Sequence, residues 1–307
     1  MVNFLKKKKI IKVAVSGLAL LILISSFLYI KGFLNIQGSN TPNLNTEEKR
    51  LIVLISIDGL GANLIGDNTP YLTSLLEKET VSYTLDMQTI EQSETLPSHV
   101  SMLTGLKQES HKFYLNSLSP EVPPIEEKTL FDYAIENNYS FYSFLTKEKL
   151  LYLLGDKGGD NILVKERNST ELLESIDQFI EPERHLSFFF LHLRDLDLLG
   201  HQYGWNSDEQ LNAAKTLDMN LKIITEDLRE EFGNYKRYFI YTADHGGEGT
   251  QHSNGCEACR QIPFIVLSEN SNDIYFLDSN VKNIYDTTCV VLDIMNDSTS
   301  RSLDCQR

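Results

Sequence analysis

LIVLISIDG, residues 51–59, is a run of β-favouring residues broken only by Ser56 and stopped by an acid and a glycine. An apolar run this short, bounded by Asp-Gly, reads as a buried parallel strand. The pattern recurs downstream. LSFFFLHL (186–193) is followed by Asp197 and His201, YFIYTA (238–243) by Asp244 and His245, and His252 lies just beyond. Further strands are expected at YSFYSFL (139–145), ILV (162–164) and IPFIVL (262–267). Helical patterns fall between them: Thr69-Pro70 to about residue 78, a short helix from about Pro97 to Gly105, then 129–137, 170–180 and 208–232. This alternation implies an α/β fold, a mostly parallel central sheet with helices on both faces. Ligands of such sheets bind outside the carboxyl ends of the strands. The acids and imidazoles at three strand ends are therefore expected to converge. Six N/O donors exceed what one tetrahedral zinc needs and suit a pair of ions.

Charge divides the chain in two. Lys6 to Lys9 and Lys12 precede VAVSGLALLILISSFLYI (13–30), which carries no charge. That run approaches the roughly 20 residues needed to span a bilayer, and its basic flank places the N-terminus in the cytoplasm. Residues 1–35 thus read as an uncleaved membrane anchor, 36–50 as a polar tether, and 51–307 as the globular domain. Beyond residue 34 there are 22 basic and 43 acidic residues, a formal charge of −21. A body this acidic excludes a nucleic-acid-binding surface of the usual basic kind. The four cysteines, Cys256, Cys259, Cys289 and Cys305, suggest two disulfides in an oxidising compartment. Pairing neighbours in sequence is the simplest of three connectivities.

Within QSETLPSHVSMLTG (92–105), an alcohol two residues before a proline and a short helix places Thr95 at a helix N-terminus. That end offers free amides and partial positive charge, which suits a phosphate. Metal bound to the Thr95 oxygen would make it a usable nucleophile near neutral pH. Read alone, Thr95 is an N-cap; the metal-type clusters give it the second meaning.

These motifs together resemble the type I phosphodiesterase and nucleotide pyrophosphatase branch of the alkaline phosphatase superfamily. The matching residues are Ile57-Asp58-Gly59, Thr95-Leu96-Pro97-Ser98-His99, the D-x-x-G-H motif from Asp197 to His201 with Tyr203-Gly204 after it, Asp244-His245-Gly246, and His252. The resemblance spans Leu51 to about Ser268. It implies an alkaline phosphatase-like fold with two zinc ions, one held by Asp58, Thr95, Asp244 and His245, the other by Asp197, His201 and His252. It also implies phosphodiester hydrolysis, by a phosphodiesterase or nucleotide pyrophosphatase, through a phosphoryl-threonine intermediate on Thr95 that water then attacks, with Asn116 holding a phosphoryl oxygen and a small-molecule phosphodiester or lipid headgroup as substrate. Departures from the family pattern are Lys112 after His111 and the Glu248 to Gln251 stretch before His252. Asp195 competes with Asp197, but the spacing favours Asp197. His99, His111 and His185 read as structural, His192 as a residue within a strand, and Lys147 and Lys149 as solvated surface lysines, the alternative being that they reach a substrate's anionic group.

The resemblance carries alternatives. Sulfatases need Cys or Ser where Thr95 stands and Arg where His99 stands. Phosphoglycerate mutases of this superfamily carry a large insertion for which the chain has no room. Phosphomonoesterases and lipid headgroup phosphotransferases share the Thr site, although the latter usually have several membrane spans. A membrane-anchored binding protein on a dead enzyme fold would have lost ligands, and all the main ones are present. The anchor orientation makes the chain a single-pass membrane protein with its catalytic domain outside the cytoplasm. Protease added to intact cells should digest that domain; protection until lysis would overturn the topology.

Overall fold

A computed structural model of the chain describes residues 49–297 apart from 118–124, 156, 158–161, 165–167, 177–184, 254, 270–274 and 278. The anchor, the tether through residue 48 and Cys305 lie outside these residues, while Arg50, expected at the end of the tether, is the first residue of β1. Among the described residues no helix is long and apolar enough to cross a membrane.

Seven strands form one sheet in the order β2-β7-β6-β1-β5-β3-β4. They are β1 (Arg50–Ile57), β2 (Val81–Gln88), β3 (Ser140–Leu145), β4 (Ile162–Val164), β5 (Leu186–Leu193), β6 (Lys236–Thr242) and β7 (Gln261–Glu269). The helices are α1 (Pro70–Leu75), α2 (Thr95–Thr104), α3 (Gln108–His111), α4 (Leu130–Glu136), α5 (Ser169–Leu173), α6 (Asp195–Tyr203), α7 (Asp208–Glu231), α8 (Glu257–Arg260) and α9 (Asp286–Met295), with 3-10 turns at Ala62–Leu64 and Glu148–Leu154.

β1 sits at the centre, parallel to β5 on one side and to β6 on the other. Every residue of β1 is buried, as expected of a strand covered on both faces. Phe188, Phe189 and Phe190 of β5 continue that core, and each such side chain contributes on the order of 1.5–3 kcal/mol by leaving water. β7 is antiparallel to both β6 and β2, so the parallel order expected from the βα alternation fails at that edge.

Four elements differ from expectation. β2 was not anticipated, because its sequence VSYTLDMQ is polar and half-exposed, and its register breaks between Thr84 and Met87. Breaks and polarity of this kind are what an edge strand uses against unwanted pairing. α1 stops at Leu75, and α5 stops at Leu173 where a helix to residue 180 was expected. α2 starts at Thr95, two residues before the proline. Of the expected disulfides, Cys256–Cys259 is formed, while the pairing of Cys289 with Cys305 involves a residue outside the described ones.

His111 is structural, as its sequence context suggested. The Phe113 N–H donates to Nδ1 at 3.1 Å, which leaves Nε2–H to donate to Ser101 Oγ at 2.8 Å. Burial holds this imidazole down to about 4, from an ordinary 6.5. Between those values the unfolded chain takes up a proton that the folded chain refuses, so this contribution is complete above the window and is lost as pH falls through it. His111→Asn, whose amide oxygen replaces Nδ1, should lose less stability than wild type between pH 6.5 and 4 in urea titrations; parallel losses would clear His111 of any part in acid sensitivity.

Candidate metal centre

The parallel register of β1 and β5 brings their ends level, and Asp58 N–H donates to Leu193 C=O at 2.8 Å. Gly59 then lets the backbone at the end of β1 meet that of α6 and the Asp244 side chain. Its φ is +83°, and a Cβ there would lie 2.8 Å from the Asp197 nitrogen. Without that Cβ, Asp197 N–H reaches Asp58 C=O at 3.0 Å and Gly59 N–H reaches Asp244 Oδ1 at 3.3 Å. A side chain at residue 59 would push the first turn of α6 off the end of β1.

Two sets of donor atoms result. Asp197 Oδ1 is 3.3 Å from His201 Nε2 and 3.5 Å from His252 Nε2, and the two nitrogens are 3.1 Å apart. His245 Nε2 is 3.4 Å from Asp58 Oδ1 and 3.5 Å from Asp244 Oδ2. Ligands about 2.0–2.1 Å from a tetrahedral zinc are separated by edges of about 3.3 Å. The first set therefore has the dimensions of one face of a zinc site, and the second shows two edges of that length. His245 also lies within reach of Asp197 and His252, its ring stacked on His252 at 3.8 Å.

Ring orientation supports the same reading. Nδ1 of His201 bonds Thr250 C=O, Nδ1 of His245 bonds Gly246 C=O, and Nδ1 of His252 bonds Ser93 C=O, at 2.9, 2.9 and 2.6 Å. A carbonyl only accepts, so each Nδ1 carries the hydrogen and each Nε2 lone pair points into the site, as metal-bound histidines require. His99 differs: Nδ1 bonds Thr95 C=O at 2.7 Å, but Nε2 is taken by the Ser56 hydroxyl at 2.9 Å. It is a structural histidine at the edge of the site.

Buried, unpaired atoms mark where a cation belongs. Among the described residues, Asp58 Oδ1, Asp197 Oδ1, Asp244 Oδ2 and His245 Nε2 are buried without a hydrogen-bond partner. Such atoms are costly unless a cation compensates them. Burial works against charge on Asp58, but Lys147 and His192 outweigh it and hold the carboxyl well below the usual range. Burial, reinforced by the charge of Asp58, pushes Asp244 well above it. A dication would offset the cost that burial and Asp58 place on charge at Asp244.

Thr95 is the first residue of α2 and is buried. Its Oγ lies 3.3 Å from Lys147 Nζ. Asn116 Oδ1 accepts from Leu96 N–H at 3.1 Å and from Lys149 Nζ at 2.8 Å. Both lone-pair directions of that oxygen are used, so the amide's remaining offer is its NH2 donor, beside the helix N-terminus. The arrangement sets a buried hydroxyl, an amide NH2 beside a helix N-terminus and a metal-type donor cluster close together.

The sequence profile of the type I phosphodiesterase / nucleotide pyrophosphatase family matches residues 52–124 and 157–263. The chain belongs to this family. Among similar proteins, GPI ethanolamine phosphate transferase 1 of Neurospora crassa is 26% identical over 222 residues, which cover 64% of this chain and 21% of that protein. The venom phosphodiesterase CdcPDE of Crotalus durissus collilineatus is 24% identical over 222 residues, covering 66% of this chain and 26% of that one. The chain thus spans about a fifth to a quarter of these relatives. The C-terminal periplasmic domain of EptC from Escherichia coli, solved in complex with zinc, shares the fold at a TM-score of 0.58 and 13% identity, covering 83% of this chain and 84% of that domain.

In this family member the structure brings together all seven residues expected at the metal centre, with Asn116 beside them. It moves other residues into new roles. Lys147 and Lys149, read as solvated, are mostly buried and face Asp58, Asp197, Thr95 and Asn116. Asp195 instead accepts from Ser169 N–H at the start of α5. Trp205 Nε1 donates to Gly59 C=O at 3.2 Å, and its ring stands edge-on against His201 and His252. His192, inside β5, donates from Nε2 to Asp58 Oδ2 at 3.1 Å, with Thr146 Oγ1 3.0 Å from Nδ1. A histidine in the next-to-last position of a strand otherwise apolar but for Ser187 was the available signal for it.

Such outer contacts orient a ligand carboxylate, and their loss typically weakens metal binding about 10- to 100-fold. His192→Phe should shift zinc affinity by that much in chelator competition, and His192→Gln, which keeps a donor near the Nε2 position, should recover part of it. An unchanged affinity in His192→Phe would mean the contact does not orient Asp58.

Proposed function

We propose that the chain transfers a substituted phosphoryl group, of the kind carried by a phosphoethanolamine lipid headgroup, from a phosphodiester donor to an acceptor alcohol. The observation that carries this reading is the buried Thr95 hydroxyl at the start of α2, set beside two donor sets with edges of zinc-site length. The likeness to a GPI ethanolamine phosphate transferase supports a headgroup over a nucleotide. So does the apolar run at residues 13–30, which would hold the site near a bilayer.

In the first half-reaction the Thr95 oxygen forms a bond to phosphorus as the bond to the donor alcohol breaks, and the proton Thr95 loses ends on the departing alcohol. In the second, the acceptor hydroxyl displaces Thr95, which recovers a proton. Asn116 NH2 and the α2 amides hold the non-reacting oxygens. Two zinc ions, one with Asp58, Asp244, His245 and Thr95 and one with Asp197, His201 and His252, would supply the positive charge that activates the alcohol and offsets charge on the leaving oxygen. Asp58, Asp197 and Asp244 need deprotonated oxygens for this, and His201, His245 and His252 their free Nε2.

A second reading, with water as acceptor, is favoured by the likeness to a venom phosphodiesterase. Zinc-loaded protein incubated with phosphatidylethanolamine vesicles and an alkyl glycoside separates them. Transfer should place the phosphoethanolamine mass first on Thr95 and then on the glycoside; release of free phosphoethanolamine alone would identify the hydrolase. Thr95→Ala should abolish the adduct and slow turnover at least about a thousandfold, while Thr95→Ser keeps part of it. Turnover by Thr95→Ala near the wild-type rate would remove Thr95 as nucleophile.

A further inference from the structure

The turn after β3 carries a lysine that no motif announces. Lys147 Nζ lies 2.5 Å from Asp58 Oδ2, 2.7 Å from Asp197 Oδ2 and 3.3 Å from Thr95 Oγ1. An ammonium has three N–H donors, and here three oxygens meet them. The side chain is only 13% exposed, so the contacts are made largely away from bulk water. Burial disfavours the charge, but Asp58 and Asp197 outweigh it and hold the ammonium well above its ordinary range.

The oxygens it uses are not those of the donor sets. Asp58 turns Oδ1 to His245 and Oδ2 to Lys147; Asp197 turns Oδ1 to His201 and His252 and Oδ2 to Lys147. A carboxylate has lone pairs on both oxygens, so one can face a metal while the other faces an ammonium. The lysine and filled donor sets are therefore compatible, and the lysine links one carboxylate of each set.

Resting on the reading of Thr95 as the nucleophile, we propose that Lys147 is a catalytic third cation of this centre. From its fixed place it donates to the Thr95 oxygen, sets the direction of that hydroxyl and stabilises the negative charge that grows there as the O–H bond is lost. No proton leaves Lys147 in this role. By holding Asp58 and Asp197 through their outer oxygens, it also keeps the two donor sets in register.

The competing account is that Lys147 only fills the space of absent metal and leaves when metal enters. Cobalt(II)-loaded wild type and Lys147→Met, compared by visible absorption, separate the two without relying on turnover. A lysine that stays on the ligand carboxylates changes the cobalt spectrum when removed; a displaced one does not. In parallel, zinc-saturated Lys147→Met should form the Thr95 adduct about 10²- to 10³-fold more slowly. Lys147→Arg should fall between, because its planar fork keeps the charge but cannot put three donors on the same points. An unaltered spectrum, adduct formation at the wild-type rate and tighter zinc binding by Lys147→Met would overturn the proposal. If wild type forms no adduct at all, the nucleophile reading fails, and the cobalt spectra still decide whether Lys147 stays on the carboxylates.

Discussion

Like charges gathered in a buried place are the constraint around which this protein is arranged. Asp58, Asp197 and Asp244 lie at the ends of three adjacent chain segments, each almost wholly removed from solvent. Two unit charges about 4 Å apart interact by about 4 kcal/mol at an effective dielectric near 20, so an uncompensated cluster of this kind opposes folding. The surroundings answer it with Lys147 and with His192. The unpaired oxygens and the Nε2 atoms that remain are those a dication would satisfy.

Rigidity follows from where the ligands are mounted. β1 is buried along its whole length and clamped by parallel partners on both sides, so Asp58 leaves the sheet from its stiffest point. His201, His245 and His252 are each locked by a carbonyl on Nδ1. Trp205 packs against two of those rings while its indole N–H is tied to Gly59. Donor atoms held by main-chain hydrogen bonds lose little freedom when metal arrives, which favours tight binding and a fixed geometry.

Transfer and hydrolysis differ in this site only in which hydroxyl reaches phosphorus second. On the proposed reading, Thr95, Asn116 and the donor sets serve either outcome equally. Exposed Tyr114 and Leu115 precede Asn116, and exposed Leu198 and Tyr203 flank the ligands of α6.

The sequence by itself determined the α/β class, the position of each core strand and the metal-type ligands, for a definite physical reason. Buried strands must be apolar and end sharply, so an acid or imidazole just past such an end stands out, as Asp58, Asp197 and Asp244 do. The Thr95 motif was legible because a proline in the first turn marks a helix N-terminus. The edge strand β2 was not legible, since an exposed strand has no need of an apolar pattern. Nor were the antiparallel setting of β7 and the roles of Lys147, Lys149 and His192. Lysines in a polar turn and a histidine within a strand look ordinary along the chain. Only the tertiary structure, by levelling the ends of β1 and β5 and setting the turn after β3 beside them, decided that these side chains meet Asp58, Asp197, Thr95 and Asn116.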